Sequence, residues 1–240
     1  MKTTCKVISF EYQTSDIFVF KVKCNENVEY KPGQFFMLSI SGITYDNKLK
    51  KDLCMPIKRA YSVSSIRNEK YIEFCVKKEN EGTVSLALSK LKIGDTINIT
   101  GPYGKFVLKE NKKDIVLLAI GSGITPIMSM LRSIVKNKIY LNKKITLIYG
   151  NKEEITYKDE IIKLCKDKIN LIFSLTKINK KVTNCQTIFN RITISTLEDL
   201  NIDYTNSNIY MCGKLEFIKN LKDSFKEKGI SKENINFEIY

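Results

Sequence analysis

Histidine does not occur anywhere in this chain of 240 residues. Its absence removes the Ser-His-Asp and Cys-His routes of nucleophilic catalysis and the usual zinc ligand. Seven cysteines stand at 5, 24, 54, 75, 165, 185 and 212, an odd count with no two close in sequence. No C-x-x-C pair exists, so a zinc site or iron–sulfur cluster has no ligand set, and no metal is expected. No window of 18 or more uninterrupted apolar residues occurs, which argues against a membrane span. The start, "MKTTCKVISFEYQ", lacks the apolar core of a signal peptide, so the expected location is the cytoplasm. Arginine is scarce as well: Arg59, Arg67, Arg132 and Arg191 stand against 36 lysines. If the chain is an enzyme, a bound organic cofactor is the natural carrier of its chemistry.

What is present is a 43% apolar content, enough for proper cores, and a formal net charge of +14. The length allows one large domain or two of about 100–130 residues. The charge has a compositional reading, since Lys, Asn and Ile are abundant together. It also has a functional one, an acidic partner. A nucleic-acid partner is disfavoured, because the lysines are spread along the chain and no basic motif with interleaved aromatics stands out.

Two halves read differently. Up to about residue 106 the apolar residues alternate: Phe18, Phe20, Val22 and Cys24 share one face of "DIFVFKVKC", and Ile72, Phe74 and Val76 share one face of "YIEFCVKK". Period two predicts half-buried antiparallel strands. With the turns "KPGQ", "KIGD" and "GPYG" it predicts a small β-barrel over 1–108, holding one short helix in "TVSLALSKL", 83–91. The loop 41–58 is long for a compact barrel, which points to mobility. From 112 to 240 the pattern changes to short, nearly continuous apolar runs, "DIVLLAI", "KITLIYG", "INLIFS" and "SNIYMC". Such runs fit strands buried on both faces. Between them, Ile127, Leu131, Ile134 and Val135 form one helical face, and Leu215, Ile218, Leu221 and Phe225 another, closed by Gly229. Alternating strands and helices predict a doubly wound parallel sheet, with the charged stretch "KENKKD", 109–114, as the boundary.

"LLAIGSGITPIMSML" reads as strand, G-x-G turn and helix. Gly121 and Gly123 allow a tight turn that approaches a phosphate, the helix start offers amide hydrogens, and Pro126 suits the first helical turn. "YMCGKLEF" ends a later strand, where Cys212 and Gly213 face the ligand crevice of such sheets. A small buried cysteine is the alternative role for Cys212.

The order of the pieces is more specific than any one of them. R-x-Y-S in "KRAYSVSS" (58–65) is followed by G-x-V-S, G-P-x-G-x-F, G-S-G-I-T-P, C-G and a final E-x-Y. This resembles the ferredoxin–NADP reductase family of flavoproteins, essentially end to end. The length resembles the compact bacterial type, whereas the ending "FEIY" resembles the plant type. The resemblance implies an FAD-binding barrel followed by a pyridine-nucleotide domain. It implies that Arg59 clamps the FAD diphosphate, for which the planar guanidinium fork is suited as lysine is not. Tyr61 is implied to pack on the isoalloxazine and bond the ribityl chain, and Ser62 to bond the flavin nitrogen that accepts hydride. Gly82 lets the chain come close, and the amides of Thr83, Val84 and Ser85 point at the diphosphate. Val76, on the preceding strand, is implied to contact the cofactor through its backbone. In the second half, Gly121, Gly123, Thr125 and Pro126 match the nucleotide turn, with Thr125 also reaching the flavin. Cys212 and Gly213 match the segment beside the nicotinamide. Glu238 matches a carboxylate that orients it and relays protons, and Tyr240 the aromatic that covers the flavin until the nicotinamide displaces it. Ser62, Cys212, Glu238 and Tyr240 are thus the residues implied to serve catalysis.

For the dinucleotide, Lys152 after "YGN", Lys177 after the next strand with Ser174, and Arg191 in "NRI" are cations suited to the extra phosphate of NADPH. The family's serine–arginine pair reads "SLTK" here, and Glu153 and Glu154 would repel a phosphate they faced. The balance favours NADPH, with NADH possible. The implied partner is an acidic electron carrier, ferredoxin or flavodoxin. Reductase subunits of oxygenase, hydrogenase or transhydrogenase complexes and free-flavin reductases share the core; the first three usually carry a cysteine-bound cluster, and no cysteine cluster is present here.

Overall fold

The computed structural model describes residues 1–40, 45–46, 51–52, 57–67, 69–80 and 82–240. The loop expected to be mobile lies largely outside them. The chain divides into two compact units, Met1–Val107 and Leu108–Tyr240.

The first unit contains β1 (Lys2–Tyr12), β2 (Ile17–Cys24), β3 (Phe35–Ser39), β4 (Tyr45–Asp46), β5 (Lys51–Asp52), β6 (Arg59–Ser62), β7 (Ile72–Lys77), α1 (Thr83–Leu88) and β8 (Thr96–Tyr103). Six of the strands form an antiparallel sheet in the order β6-β3-β8-β1-β2-β7. It curls until its ends meet: Val63, just past β6, bridges Phe74 of β7, and the Ser64 amide donates to the Glu73 carbonyl at 2.9 Å. The inside is filled by Phe18, Phe20, Val22, Phe36, Leu38, Phe74 and Val76 with Val84 and Leu88 of α1. The period-two faces of β2 and β7 therefore point inward as their alternation predicts.

Burial goes beyond the alternation, since Ile17 and Val19 of β2 and every residue of β7 from Ile72 to Val76 are buried. Glu73, on the expected outer face of β7, is buried because Ser64 Oγ donates to its carboxylate at 2.7 Å and Lys21 Nζ lies 3.7 Å away. Cys5 lies opposite Cys24 in the β1–β2 register, and the two sulfurs are bonded across the strands. Sequence spacing of 19 residues hides that pair, because only the strand register brings it together.

The second unit runs β9 (Asp114–Ile120), α2 (Ile124–Lys136), β10 (Ile145–Asn151), α3 (Lys158–Cys165), β11 (Asn170–Leu175), β12 (Gln186–Ile188), α4 (Ile194–Asp199), β13 (Ser207–Gly213), α5 (Leu215–Glu227) and β14 (Ile235–Ile239). All pairings are parallel, in the order β12-β11-β10-β9-β13-β14. The order reverses between β9 and β13, the point at which open α/β sheets hold their ligands. Ile127, Leu131 and Ile134 of α2 and Ile218, Leu221 and Phe225 of α5 are buried, as their helical spacing predicts. Leu215 is not: it opens α5 and is 62% exposed, a full turn before the helix meets the core. Gly229 follows α5 with φ +76°, the left-handed conformation expected of a helix terminator.

Candidate active site

In the first unit, the segment 59–62 forms β6, paired to β3 with Leu38 opposite Arg59 and Phe35 opposite Ser62. Strand alternation puts Arg59 and Tyr61 on one face and Ser62 on the other. Tyr61 leans on the barrel core, while the Arg59 guanidinium is exposed and donates from Nη1 to its neighbour Lys58's carbonyl at 3.0 Å. Burial pushes the Tyr61 phenol above its ordinary range, with the Arg59 charge pulling the other way. The phenol thus stays a neutral donor. Val76 is buried on β7.

At the start of α1, Gly82 passes so close to its surroundings that an added Cβ would lie 2.4 Å from Ser85 Oγ and 2.7 Å from Glu79 Cβ. Ser85 Oγ accepts from the Glu79 amide and donates to the Gly82 carbonyl, both at 3.2 Å, which shapes the turn before the helix. No acidic side chain stands in that first turn. The amides of Thr83, Val84 and Ser85 begin a helix whose own carbonyls do not reach them. A guanidinium, an aromatic hydroxyl and a glycine-shaped helix start fit a diphosphate-bearing cofactor such as FAD. Glu81, the residue before Gly82, lies outside the described residues.

In the second unit, β9 runs into a single 3-10 turn, Gly121–Gly123, and then α2. Gly121 has φ +53°, and its carbonyl accepts from the buried Tyr149 hydroxyl at 3.0 Å. At Gly123 a Cβ would lie 2.3 Å from the Cys212 carbonyl oxygen, so only glycine lets α2 begin against β13. At Gly213 a Cβ would lie 2.5 Å from Ile120 Cγ1. Thr125 is buried with its hydroxyl on the Ser122 carbonyl at 2.8 Å, and Pro126 is buried in the first turn of α2.

The same edge of the sheet gathers the other implied residues. Cys212 pairs in register with Ala119 and with Glu238, and Tyr240 returns its hydroxyl to the Ile120 carbonyl at 2.8 Å. A Cβ on Gly121 would be 3.1 Å from that hydroxyl, so Tyr240 lies on the glycine turn. Burial, with the Glu238 carboxylate adding to it, pushes the Cys212 thiol well above its usual range, so it is neutral at physiological pH. Gly121, Gly123, Thr125, Cys212, Gly213, Glu238 and Tyr240 are thus brought together.

Lys152, Lys177 and Arg191 lie away from this group, on the loops after β10, β11 and β12, all exposed. Ser174 Oγ donates to the Asn190 carbonyl at 2.5 Å, fixing the approach to Arg191. Two residues escaped the sequence reading. Tyr149 holds the turn by its hydroxyl. Asn151, at the carboxyl end of β10, has a buried side-chain amide nitrogen with no hydrogen-bond partner among the described residues. A buried donor left unsatisfied is costly, and its place one residue past the Gly150–Ile120 pair puts it beside the glycine turn. An acceptor-rich dinucleotide fits that edge. The tripeptide "YGN" is the signal for both residues.

Residues 4–108 match the family model described as an oxidoreductase FAD-binding domain, and residues 117–223 that of an oxidoreductase NAD-binding domain. The chain belongs to the ferredoxin–NADP reductase family. It is an oxidoreductase with an FAD-binding unit and an NAD-binding unit. Flavohemoprotein B of Dictyostelium discoideum is 26% identical, covering 93% of this chain and 55% of the relative. The toluate 1,2-dioxygenase electron transfer component of Pseudomonas putida is also 26% identical, over 88% and 59%. The chain thus spans little more than half the length of these curated relatives. A ferredoxin NADP+ reductase from Neisseria gonorrhoeae, with bound FAD and NADP, shares the fold with TM-score 0.83 at 21% identity, over 99% of this chain and 98% of that one. No helix among the described residues is long and apolar enough to cross a membrane.

Proposed function

We propose that this chain takes hydride from NAD(P)H and passes electrons one at a time to an acidic carrier protein, a ferredoxin or flavodoxin. The observation that carries the reading is the gathering of Cys212, Gly213, Glu238 and Tyr240 onto the Gly121–Gly123 turn at the carboxyl edge of a parallel sheet.

FAD, when bound, supplies the centre that accepts hydride and gives up single electrons. In the first unit, Arg59 would fork the diphosphate, helped by the amides of Thr83 to Ser85 beside Gly82. Tyr61 would present its ring and neutral hydroxyl to the flavin, Ser62 would offer its hydroxyl to the hydride-accepting nitrogen, and Val76 would contribute backbone. In the second unit, Gly121 and Gly123 admit the dinucleotide's phosphates, with Thr125 and Pro126 setting the helix start. Cys212 and Gly213 flank the nicotinamide, Glu238 orients it, and Tyr240 leaves the turn to let it in. The +14 charge steers an acidic partner.

The purified chain is expected to be yellow, to keep FAD through a desalting column, and to bleach with NADPH or NADH. A colourless protein that stays so when supplied with FAD overturns the proposal, and loss of flavin on the column favours a free-flavin reductase. Reduction of ferredoxin is expected to slow about tenfold between 20 and 200 mM salt, as screening predicts, while dye reduction barely changes.

The toluate dioxygenase relative supports a second reading, in which the acceptor is an oxygenase component. Turnover with such a component and none with ferredoxin or flavodoxin selects it.

A further inference from the structure

Among the described residues, the buried side-chain atoms left without a hydrogen-bond partner are the amide nitrogen of Asn151 and the hydroxyl of Thr156. Both lie on the segment that joins β10 to α3. That segment ends on Tyr157, which is buried and holds φ +59°, a left-handed conformation that a residue with a Cβ adopts at a cost. Such strain and such unsatisfied groups persist only where the surroundings over-determine them, and they gather at ligand sites.

The segment is fixed at both ends. At its start, the Thr176 amide donates to the Asn151 carbonyl at 3.1 Å and the Lys177 amide to the Lys152 carbonyl at 2.9 Å, so the tails of β10 and β11 stay paired. At its other end stands Arg132 of α2. Its Nε and Nη2 donate to the two carboxylate oxygens of Glu160, in the first turn of α3, at 2.7 and 2.8 Å. Its guanidinium carbon lies 5.3 Å from the centre of the Tyr157 ring. The arginine side chain is only 11% exposed, so this is not a surface ion pair of the kind that contributes little. The chain uses lysine almost everywhere, but an ammonium cannot fork onto a carboxylate and lay a flat face on a ring together. Arg132 lies about two turns along α2 from Thr125. The helix that starts at the Gly121–Gly123 turn therefore also carries the group that fastens the neighbouring segment.

We propose that Arg132 is a positioning residue for the dinucleotide: by holding Tyr157 and Glu160 it fixes the segment 152–156 against α2, so that the cofactor meets an edge already formed. The inference rests on the reductase reading above. Without this clamp Tyr157 can leave the left-handed region and Thr156 can turn its hydroxyl to water, and each change relaxes a cost. The segment then samples other shapes, and apparent affinity falls by the fraction that stays competent. Cys212 and Glu238 belong to β13 and β14, which the clamp does not touch. Arg132 thus acts on binding and not on hydride transfer. It acts alike on NADH and NADPH, because it holds the segment as a whole.

The test uses the FAD-loaded chain and its R132M, R132K and E160Q variants. Calorimetric titration with 5′-AMP reads binding without turnover, hydrogen exchange at the amides of 152–157 reads the segment itself, and dye reduction gives KM and kcat. R132M is expected to bind 5′-AMP about tenfold more weakly and to raise KM for both dinucleotides by the same factor, with kcat within about twofold of wild type. Exchange at 152–157 is expected to quicken about tenfold in R132M and to return to the wild-type rate at saturating NADP+. R132K, which keeps the charge without the fork, and E160Q, which keeps the ring contact, are expected to fall between R132M and wild type. Wild-type 5′-AMP affinity in R132M, or a loss of kcat with KM unchanged, reduces Arg132 to a structural ion pair and overturns the inference. Should R132M fail to fold, the other two variants decide: weaker 5′-AMP binding at unchanged kcat supports the clamp, and wild-type affinity in both overturns it. These outcomes leave the reductase reading intact, whereas a wild-type flavin that neither dinucleotide reduces removes both.

Discussion

On the proposed reading, the two units hold phosphates by opposite means. The first uses a side chain, Arg59, on a short strand at the end of a curled antiparallel sheet, with a helix of six residues beside it. The second uses backbone, a glycine turn pressed against β13 so closely that a single methyl group would overlap the Cys212 carbonyl. A side-chain clamp can be removed without disturbing the fold that carries it. A backbone cradle cannot be altered without moving the strands that form it. Ligand loss and fold loss are therefore separable in the first unit and joined in the second.

The sharpest break of that contrast is Arg59→Ala. It removes charge-assisted bonds worth about 1.5–3 kcal/mol each, so FAD is expected to wash out during purification while the apoprotein keeps its circular dichroism. Loss of secondary structure together with the flavin would mean that the clamp is part of the fold. The paired substitutions Gly123→Ala and Gly82→Ala come next. Both crowd a neighbour, but at Gly123 the neighbour is backbone and at Gly82 it is the Ser85 hydroxyl and Glu79 Cβ. Overpacking costs about 1–3 kcal/mol, and Gly123→Ala is expected at the upper end, with a lower Tm and lost dinucleotide binding. Gly82→Ala is expected to weaken FAD more than it lowers Tm. Equal Tm losses would erase the distinction.

What was legible follows the same division. Continuous apolar runs announced the parallel strands, and alternation announced β2 and β7, because both patterns are local. The turn at Gly121–Gly123 is legible because a spaced glycine pair between an apolar run and a helical pattern stands out in sequence, and Arg59 draws the eye as a scarce residue type. The Cys5–Cys24 bond, the burial of Glu73, the exposure of Leu215 and the Glu153–Lys177 pair were not. Each depends on register between segments or on where a helix first meets the core, and neither is written in local periodicity. The sequence names both Lys177 and Glu153, but not that they face each other at 3.5 Å.

Alkaline pH offers a smaller test, weighted to the second unit. Cys165 and Cys212 are both buried there, and burial pushes the Cys165 thiol up to about 12 and Cys212 well above its usual range. The unfolded chain releases these protons near pH 8.5 while the folded chain keeps them. The stability they contribute is therefore complete below that pH and is lost as pH rises toward the folded values. The expected loss is about 1.4 kcal/mol per group per pH unit. Pulse proteolysis at pH 8 and pH 9.5, with fragments assigned by mass, is expected to show cleavage rising within Leu108–Tyr240 at the higher pH. Cleavage there that is unchanged would mean the thiols titrate as in water.

The smallest effect is expected at Cys212 itself. The close contact at this position belongs to its backbone carbonyl, which meets Gly123, whereas the side chain contributes a neutral thiol beside Glu238. Cys212→Ala leaves the carbonyl in place, so FAD content and Tm are expected to hold. Hydride transfer, followed by flavin bleaching in a stopped-flow experiment, is expected to slow by about tenfold, on the order of 1.4 kcal/mol. Cys212→Ser restores a neutral hydrogen-bonding group of similar size and is expected to recover part of that loss. Because the thiol is protonated through the neutral range, the wild-type rate is expected to stay flat between pH 6 and 8.5. A rate that instead rises with an apparent pKa near 8, and loses that rise in Cys212→Ala, would make the thiolate the working form. The side chain, and with it the backbone character assigned to this half of the molecule, would then need to be drawn again.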